Sequence, residues 1–193
     1  MKSEIARIQK HLGITPDGVI GPITINALNK ALNIPTEPTW PTQAEVRRGN
    51  SIFGAPGQET DLVNLSPPYP LYYEGKKVKT IRVHRLIAPH VQSALQEVLE
   101  HYGLDEIHRL GLDVYGGSYH YRKNTGGQSL SMHAWGIALD FAPDTNAFNT
   151  RAPRASLSHP DCDTWWRIWE KHGATSLGRE RGYDWMHLQF ARL

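Results

Sequence analysis

Hydrophobic residues recur at helical spacing in four stretches of the chain. Two short stretches lie on either side of the turn sequence TPDG, within residues 3–32. A third runs from Pro89 to Gly103, and a fourth from about Asp163 to His172. Glycine ends or follows each of the last two stretches, as is typical of a helix C-terminus. The pattern therefore predicts two short helices near the N-terminus and two further helices beyond them.

Three other stretches indicate β-strands. They are KKVKTIRV (76–83), IALDFA (137–142) and DWMHLQF (184–190). Alternate side chains of a strand face opposite ways, so the large apolar residues of the second and third stretches share one face each. Asp140 then stands on the other face of its strand among small residues, and His187 on the other face of its own. Two strands thus each present one chemically active side chain away from the core.

These elements do not follow a regular βαβ alternation. The order predicts an α+β fold with a mainly antiparallel sheet and flanking helices, preceded by a small α-helical module. The stretch IPTEPTWPTQ holds three prolines and predicts a stiff, extended linker. We therefore expect a helical module at residues 1–34, a Pro-rich linker at 35–45 and a larger domain at 46–193.

Composition and charge narrow the function classes. Hydrophobic residues make up 39% and charged residues 21%, as in ordinary globular proteins. No apolar run approaches the ~20 residues that span a bilayer, so no membrane insertion is expected. A net charge of +2 is too small to indicate nucleic-acid binding. Cys162 is the single cysteine and lies between two acids, so we expect an unreactive thiol and no intrachain disulfide.

A possible metal site begins with His133, seven residues before Asp140. This odd separation would send the two side chains in opposite directions on a straight strand, and Gly136 between them can supply a bend. His133, Asp140 and His187 together would form a set of two imidazoles and one carboxylate. Zn²⁺ takes such a set in catalytic sites, where the fourth position is left to water or substrate.

A hydrolytic zinc site also needs a general base and a positive group for the developing oxyanion. Asp184, three residues before His187, is the candidate base. Arg122, in SYHYRKN, is the candidate positive group. His120, two residues earlier, is a candidate substrate contact.

Each of these side chains also has a purely structural interpretation. His133 fits a hydrogen-bonded loop histidine, and Asp140 fits a cap of the turn that follows it. Asp184 fits an ion pair with Arg179 or Arg181, and Arg122 fits a solvated surface arginine. The fourth predicted helix carries three tryptophans, Trp165, Trp166 and Trp169. They fit either packing in the core or an aromatic platform that binds the cell wall.

The motifs nevertheless resemble one family, the zinc D-alanyl-D-alanine carboxypeptidases and L-alanyl-D-glutamate endopeptidases, which includes many bacteriophage endolysins. SMHAWGIALD (131–140) matches S-x-H-x-x-G-x-A-x-D in full, and Asp184 and His187 match the pattern acid-x-x-H. The likeness runs from NLSPPYPL, which begins at Asn64, to SLGRERGYDWMHLQF near the end of the chain.

The resemblance implies a Hedgehog/DD-peptidase-like fold and a role for each motif residue. His133, Asp140 and His187 correspond to the Zn²⁺ ligands. Asp184 corresponds to the catalytic base, where many members have glutamate, and aspartate also resembles the phage-type members. Arg122 corresponds to the residue that orients and polarises the substrate carbonyl, although the sequence around it is looser than the usual arginine motif.

The N-terminal stretch IQKHLGITPDGVIGPITINAL resembles part of a peptidoglycan-binding module. It covers about half of the usual three-helix unit, and two helices alone bury little apolar surface. Two interpretations stay open: a trimmed wall anchor, or a remnant that no longer binds the wall.

Taken together, the resemblances imply a zinc-dependent peptidoglycan peptidase, an endolysin that hydrolyses the L-alanyl-D-glutamate bond of the stem peptide. The alternatives are a D-alanyl-D-alanine carboxypeptidase and a non-catalytic, zinc-containing wall-binding module. The expected partner is the peptidoglycan stem peptide, and a monomer is expected. The N-terminal sequence lacks the apolar core of a secretory signal. We therefore expect synthesis in the host cytoplasm and action on the wall after release.

Overall fold

The computed structural model describes residues 2–32 and 39–193. The chain divides into two compact units, Met1–Pro38 and Thr39–Leu193. The predicted linker, 35–45, lies partly outside the described residues, and its remaining part includes the buried Trp40. Within the described ranges, no helix is both long enough and apolar enough to cross a membrane.

The smaller unit contains helices α1 (Lys2–His11) and α2 (Pro22–Ala31). A buried side chain, Gln9, connects them through the intervening turn. Its amide nitrogen lies 2.7 Å from Asp17 Oδ1 and 2.8 Å from Thr24 Oγ1, and its oxygen accepts the backbone N–H of Gly18 at 2.8 Å. This unit is therefore organised around a hydrogen-bonded amide, as expected where two short helices bury little apolar surface.

The larger unit contains four helices and eight strands among its described residues. The helices are α3 (Gln43–Arg47), α4 (Ala88–Arg109), α5 (Asp163–Lys171) and α6 (Leu177–Arg181). The strands are β1 (Leu62–Leu65), β2 (Leu71–Tyr73), β3 (Lys76–Val78), β4 (Ile81–His84), β5 (Tyr115–Gly117), β6 (Ala138–Phe141), β7 (Thr175–Ser176) and β8 (His187–Gln189).

Antiparallel pairing joins these strands into three small sheets. The largest has the order β5-β6-β8-β7, and β1 pairs with β4 and β2 with β3. The α+β class with antiparallel sheets is therefore confirmed. β6 and β8 are central neighbours in the largest sheet, in a register that places Asp140 directly opposite His187.

The core of the larger unit lies between this sheet and helices α4 and α5. Phe141 of β6 meets the edge of the Trp165 ring of α5, with ring centroids 5.4 Å apart. Trp165, Trp166 and Trp169 are all buried. This confirms the core-packing interpretation of the three tryptophans, because no ring presents a free face to a wall polymer.

The prediction of one continuous strand over residues 76–83 is wrong. The segment forms two strands, β3 and β4, which belong to different sheets. Val78 and Ile81 are an odd number of residues apart, so one straight strand would bury only one of them. The break at Lys79–Thr80 lets Val78 pack against the core while Ile81 is fully buried.

Two other boundaries also differ from the sequence expectation. Gly103 interrupts α4 with a non-helical backbone (φ 68°, ψ 167°), but helical structure resumes and continues to Arg109, where Ile107 returns to the core. The strand predicted at 184–190 is shorter, because Asp184 adopts a left-handed backbone with φ 55° and the ladder begins only at His187.

Candidate metal centre

His133 lies on a single 3₁₀ turn, Met132–Trp135, just before the central strand β6. Ser131 caps the turn, and Gly136 ends it in the left-handed conformation at φ 67°. The bend that the sequence predicts at Gly136 is therefore present. It turns the chain so that His133 and Asp140 reach the same buried point despite their odd separation.

Asp140 and His187 lie opposite each other on β6 and β8. His187 Nδ1 is 3.0 Å from Asp140 Oδ1, and His133 Nε2 is 3.2 Å from Asp140 Oδ2. The two ring nitrogens that face each other, His133 Nε2 and His187 Nδ1, are 3.2 Å apart. Among the described residues, these three form the set of histidine, cysteine and acidic groups with the geometry to hold a metal ion.

Each imidazole is oriented by a hydrogen bond from the ring nitrogen that points away from Asp140. His133 Nδ1 lies 2.5 Å from the carbonyl oxygen of Ser118, which can only accept, so this nitrogen carries the proton. His187 Nε2 lies 3.2 Å from Gln189 Oε1. The Gln189 amide is itself oriented, since its nitrogen donates to the Ala191 carbonyl at 2.6 Å. Such outer contacts commonly fix the tautomer and direction of metal-binding histidines.

This arrangement leaves three electron-pair donors directed at one point. With their protons on the outward nitrogens, His133 Nε2 and His187 Nδ1 present lone pairs to each other and to the Asp140 carboxylate. Three such donors at about 3 Å repel one another unless a cation lies between them. The donor set therefore fits a divalent metal, and two imidazoles with one carboxylate suit Zn²⁺.

The pKa shifts of Asp140 and His187 also fit a site that binds a cation. Burial disfavours the charged form of Asp140, but the two imidazoles outweigh burial and hold the pKa of this carboxyl well below its usual range. Burial also lowers the pKa of His187, yet the hydrogen bond and charge of Asp140 raise it above its ordinary value overall. The site thus keeps its carboxylate ionised and attracts positive charge.

Asp184 stands beside the cluster and does not take part in its three short contacts. Its backbone carbonyl accepts the His187 N–H at 3.1 Å, which ties it to the start of β8. Burial raises the pKa of Asp184, and the nearby charge of His187 only partly offsets that effect. Its Oδ1 atom is buried without a hydrogen-bond partner among the described residues. A carboxylate placed this way suits a proton acceptor near neutral pH.

Two hollows are lined in part by residues of the cluster. The first, of about 380 Å³, is lined by Arg47, Arg122, Asp140, Arg181, Asp184 and His187 among others. The second is lined by Tyr73, Arg82, Tyr119, His120 and His133, and it shares Arg122 and Asp140 with the first. The cluster therefore borders both hollows, and each can receive part of a chain molecule.

Arg122 lies where these two hollows meet and is half-buried. Its Nη1 donates to the Lys123 carbonyl at 3.2 Å, and its own carbonyl accepts the Ser131 N–H at 3.0 Å. The positive charge of Arg122 acts on the pKa of Asp184, so the two side chains are neighbours. The structure thus places all five sequence-predicted residues at one site, with Arg122 at its rim and exposed His120 in the second hollow.

Sequence reasoning missed three supporting residues. Ser118 acts through its backbone carbonyl, which has no sequence signature. Gln189 shares a strand face with His187, and that alternation was a signal of its role. Gly116 lies so close to β6 that a Cβ there would stand 2.9 Å from the Cβ of Asp140. Only glycine fits this approach of β5 to Asp140 without displacing the carboxylate.

Comparison with known protein families gives a match. A family model described as D-alanyl-D-alanine carboxypeptidase matches residues 125–190, which is less than half of the chain. The matched segment contains His133, Asp140, Asp184 and His187, and Arg122 lies just before it. No curated protein and no solved structure matches the chain. The match supports a peptidase related to this family, and His133, Asp140 and His187 form a group that could hold a metal ion.

Proposed function

We propose that the larger unit is a zinc-dependent peptidoglycan peptidase with a Hedgehog/DD-peptidase-like fold. The observation that carries the proposal is the convergence of His133, Asp140 and His187 on one point, with Asp184 beside them and outside the set. A structural zinc site takes four protein ligands and needs no neighbouring base. Three ligands with an adjacent carboxylate fit a hydrolytic site better.

The residues divide the chemistry between them. His133, Asp140 and His187 would hold the ion, with Ser118 and Gln189 keeping the imidazoles in the ligating tautomer. When bound, zinc supplies a Lewis acid that makes water easier to deprotonate and polarises a carbonyl.

Proton transfer in this proposal belongs to Asp184, which takes the proton from the attacking water and returns it to the leaving amine. Its raised pKa matches that double role, since a carboxyl with an ordinary pKa is a poorer proton donor near neutral pH. Arg122 donates to the carbonyl oxygen as negative charge develops there, which stabilises the transition state.

The proposed substrate is the stem peptide of peptidoglycan, and the proposed bond joins L-alanine to D-glutamate. The alternative is removal of the terminal D-alanine, which the description of the matching family model favours. Purified peptidoglycan, digested with the zinc-loaded chain and analysed by mass spectrometry, separates the two. New amino-terminal glutamate supports the endopeptidase, and loss of D-alanine alone supports the carboxypeptidase. Release of neither product would favour a non-catalytic, zinc-containing wall-binding module.

The smaller unit is proposed as a trimmed wall anchor. Gln9, Asp17, Gly18 and Thr24 carry part of its resemblance to peptidoglycan-binding modules, and the structure joins these four in one hydrogen-bond network. Sedimentation of the full chain with insoluble peptidoglycan tests this. Gln9→Ala should weaken co-sedimentation, and exposed Lys10→Ala is the matched control. Equal co-sedimentation of all three proteins would indicate a remnant without wall affinity.

A lytic role of the phage-endolysin type is the corresponding biological proposal. It rests on the aspartate at Asp184, which resembles the phage-type members, and on the wall-binding resemblance. Bacteria that express the chain internally should lyse only after their membrane is permeabilised. Spontaneous lysis at the same expression level would contradict dependence on a separate release step.

A further inference from the structure

The first hollow is lined by three arginines that form no ion pair with the described residues. They are Arg47, Arg122 and Arg181. In the described part of the chain, none of the three lies within ion-pair distance of a carboxylate. Elsewhere in the same unit, arginines such as Arg109 and Arg179 each contact two acidic side chains.

The two arginines without a proposed catalytic role are held in different ways. Arg47 ends helix α3, which a capping box at Thr42 and Glu45 stabilises. Its Nε donates to the Leu130 carbonyl at 3.0 Å, which fixes the stem of the side chain and leaves the terminal nitrogens free to donate. Arg181 lies in the last turn of α6 and is exposed, beside Gly182.

The arrangement of charges in the first hollow leaves a place for an anion. Its acidic lining side chains are Asp140 and Asp184, and the terminal carboxylate of Leu193, which also lines it, lies beyond ion-pair distance of the described arginines. Asp140 is engaged by the two imidazoles and Asp184 lies beside the metal cluster, so neither neutralises Arg47 or Arg181. The guanidinium of Arg47 is partly withdrawn from water, and this burial lowers its pKa. A carboxylate can accept paired hydrogen bonds from such a group with good geometry.

The position of Asp184 determines which half of the substrate meets these arginines. Asp184 lines the first hollow, whereas His133 and His120 line the second. The group that returns the proton must reach the leaving nitrogen. The leaving half of the substrate therefore lies in the first hollow, beside Arg47 and Arg181.

Building on the proposed function, we propose that Arg47 and Arg181 form a carboxylate-binding subsite for the residue that follows the scissile bond. The enzyme would then select peptides in which this residue carries a free carboxylate over peptides in which the same group is a carboxamide. Glutamate after the L-alanyl bond meets this requirement, because its free carboxylate lies next to the new amine.

The test uses two synthetic stem peptides that differ in one group, a free carboxylate or a carboxamide on the residue after the scissile bond. The zinc-loaded full chain should cleave the acid with a kcat/KM about tenfold or more above that of the amide, as expected for a charge-assisted contact. Equal kcat/KM for both peptides would overturn the subsite.

Variants assign the selectivity to the two arginines. Arg47→Gln, Arg181→Gln and the double variant should lose the preference by lowering kcat/KM on the acid alone. The rate on the amide peptide should stay within about twofold, since the arginines do not act in the proton transfer. Arg154→Gln, at an exposed arginine outside both hollows, is the matched control and should keep the full preference. Equal losses on both peptides would mean that the arginines only support the fold.

A binding measurement separates this proposal from the proposed reaction. Calorimetric titration of zinc-loaded Asp184→Asn with the leaving fragment, as acid or amide, should show about tenfold tighter binding of the acid. Selective binding without cleavage by the wild type would support the subsite and refute the peptidase. Cleavage with no preference in either assay would support the peptidase and refute the subsite, and neither binding nor cleavage would refute both.

Discussion

Replacing Gly136 with alanine should destabilise the protein in two ways, through backbone strain and through overcrowding of the core next to the metal centre. Gly136 ends the turn that carries His133 and begins the segment that leads to Asp140, with φ 67°. A Cβ added there would lie 2.6 Å from Leu62 Cδ2 and 3.2 Å from the backbone nitrogen of His84. The His84 N–H donates to the Gly136 carbonyl at 2.8 Å, so this neighbour cannot move away freely.

The expected destabilisation of Gly136→Ala has two parts. A left-handed backbone costs an alanine about 1 kcal/mol relative to glycine. Forcing a methyl group into the contacts with Leu62 and His84 adds about 1–3 kcal/mol, the usual range for an overfilled core. Together they give about 2–4 kcal/mol. Gly75→Ala is the matched control, because Gly75 has φ 73° and open space around the added Cβ. It should lose only the first part.

Urea unfolding of the metal-free protein, followed by tryptophan fluorescence, measures both variants. Every tryptophan of the chain lies between residues 40 and 185, so the signal reports the larger unit alone. Gly136→Ala should be less stable than Gly75→Ala by at least about 1 kcal/mol. It should also bind zinc more weakly, because His133 shifts relative to Asp140. Equal stability of the two variants would refute the packing argument.

Four further outcomes follow from the structure. Asp184→Asn should lower kcat about 10²–10⁴-fold with its zinc content unchanged. Because burial raises the pKa of Asp184 and the base must be ionised, wild-type kcat should rise with pH through a value above that of an ordinary aspartate; a flat profile would contradict this role. Gln189→Ala should weaken zinc binding about 10–100-fold by releasing the His187 ring, whereas exposed Gln128→Ala should not. Cys162 is buried with a pKa raised to about 11, so thiol reagents should label it only in denaturant; rapid labelling of the native chain would show that this part of the core opens.

The metal cluster was the most predictable part of the molecule. Strand alternation fixes which residues share a face, so Asp140 and His187 could be placed together before their pairing was known. His133 required one more inference, the bend at Gly136, and the sequence supplied it because only glycine adopts that backbone without strain. The aspartate and the two histidines form a pattern that elementary strand geometry can interpret.

Other features depend on contacts that local patterns do not encode. The carbonyl of Ser118 orients His133, but any residue has a carbonyl, so no sequence signal marked it. The break between β3 and β4 follows from pairing with two different partners, since β3 pairs with the adjacent β2 and β4 pairs with β1. Arg47 and Arg181 come from short helices far apart along the chain, and only the tertiary fold brings both to the first hollow.

The claim on which the account depends is that His133, Asp140 and His187 together hold one zinc ion. Metal analysis of the purified chain after zinc loading and removal of excess metal tests it most directly. One zinc per chain is expected for the wild type and for Asp184→Asn and His120→Ala, and almost none for His133→Ala, Asp140→Asn or His187→Ala. Full zinc content in any of those last three variants, with the chain still folded, would contradict the account.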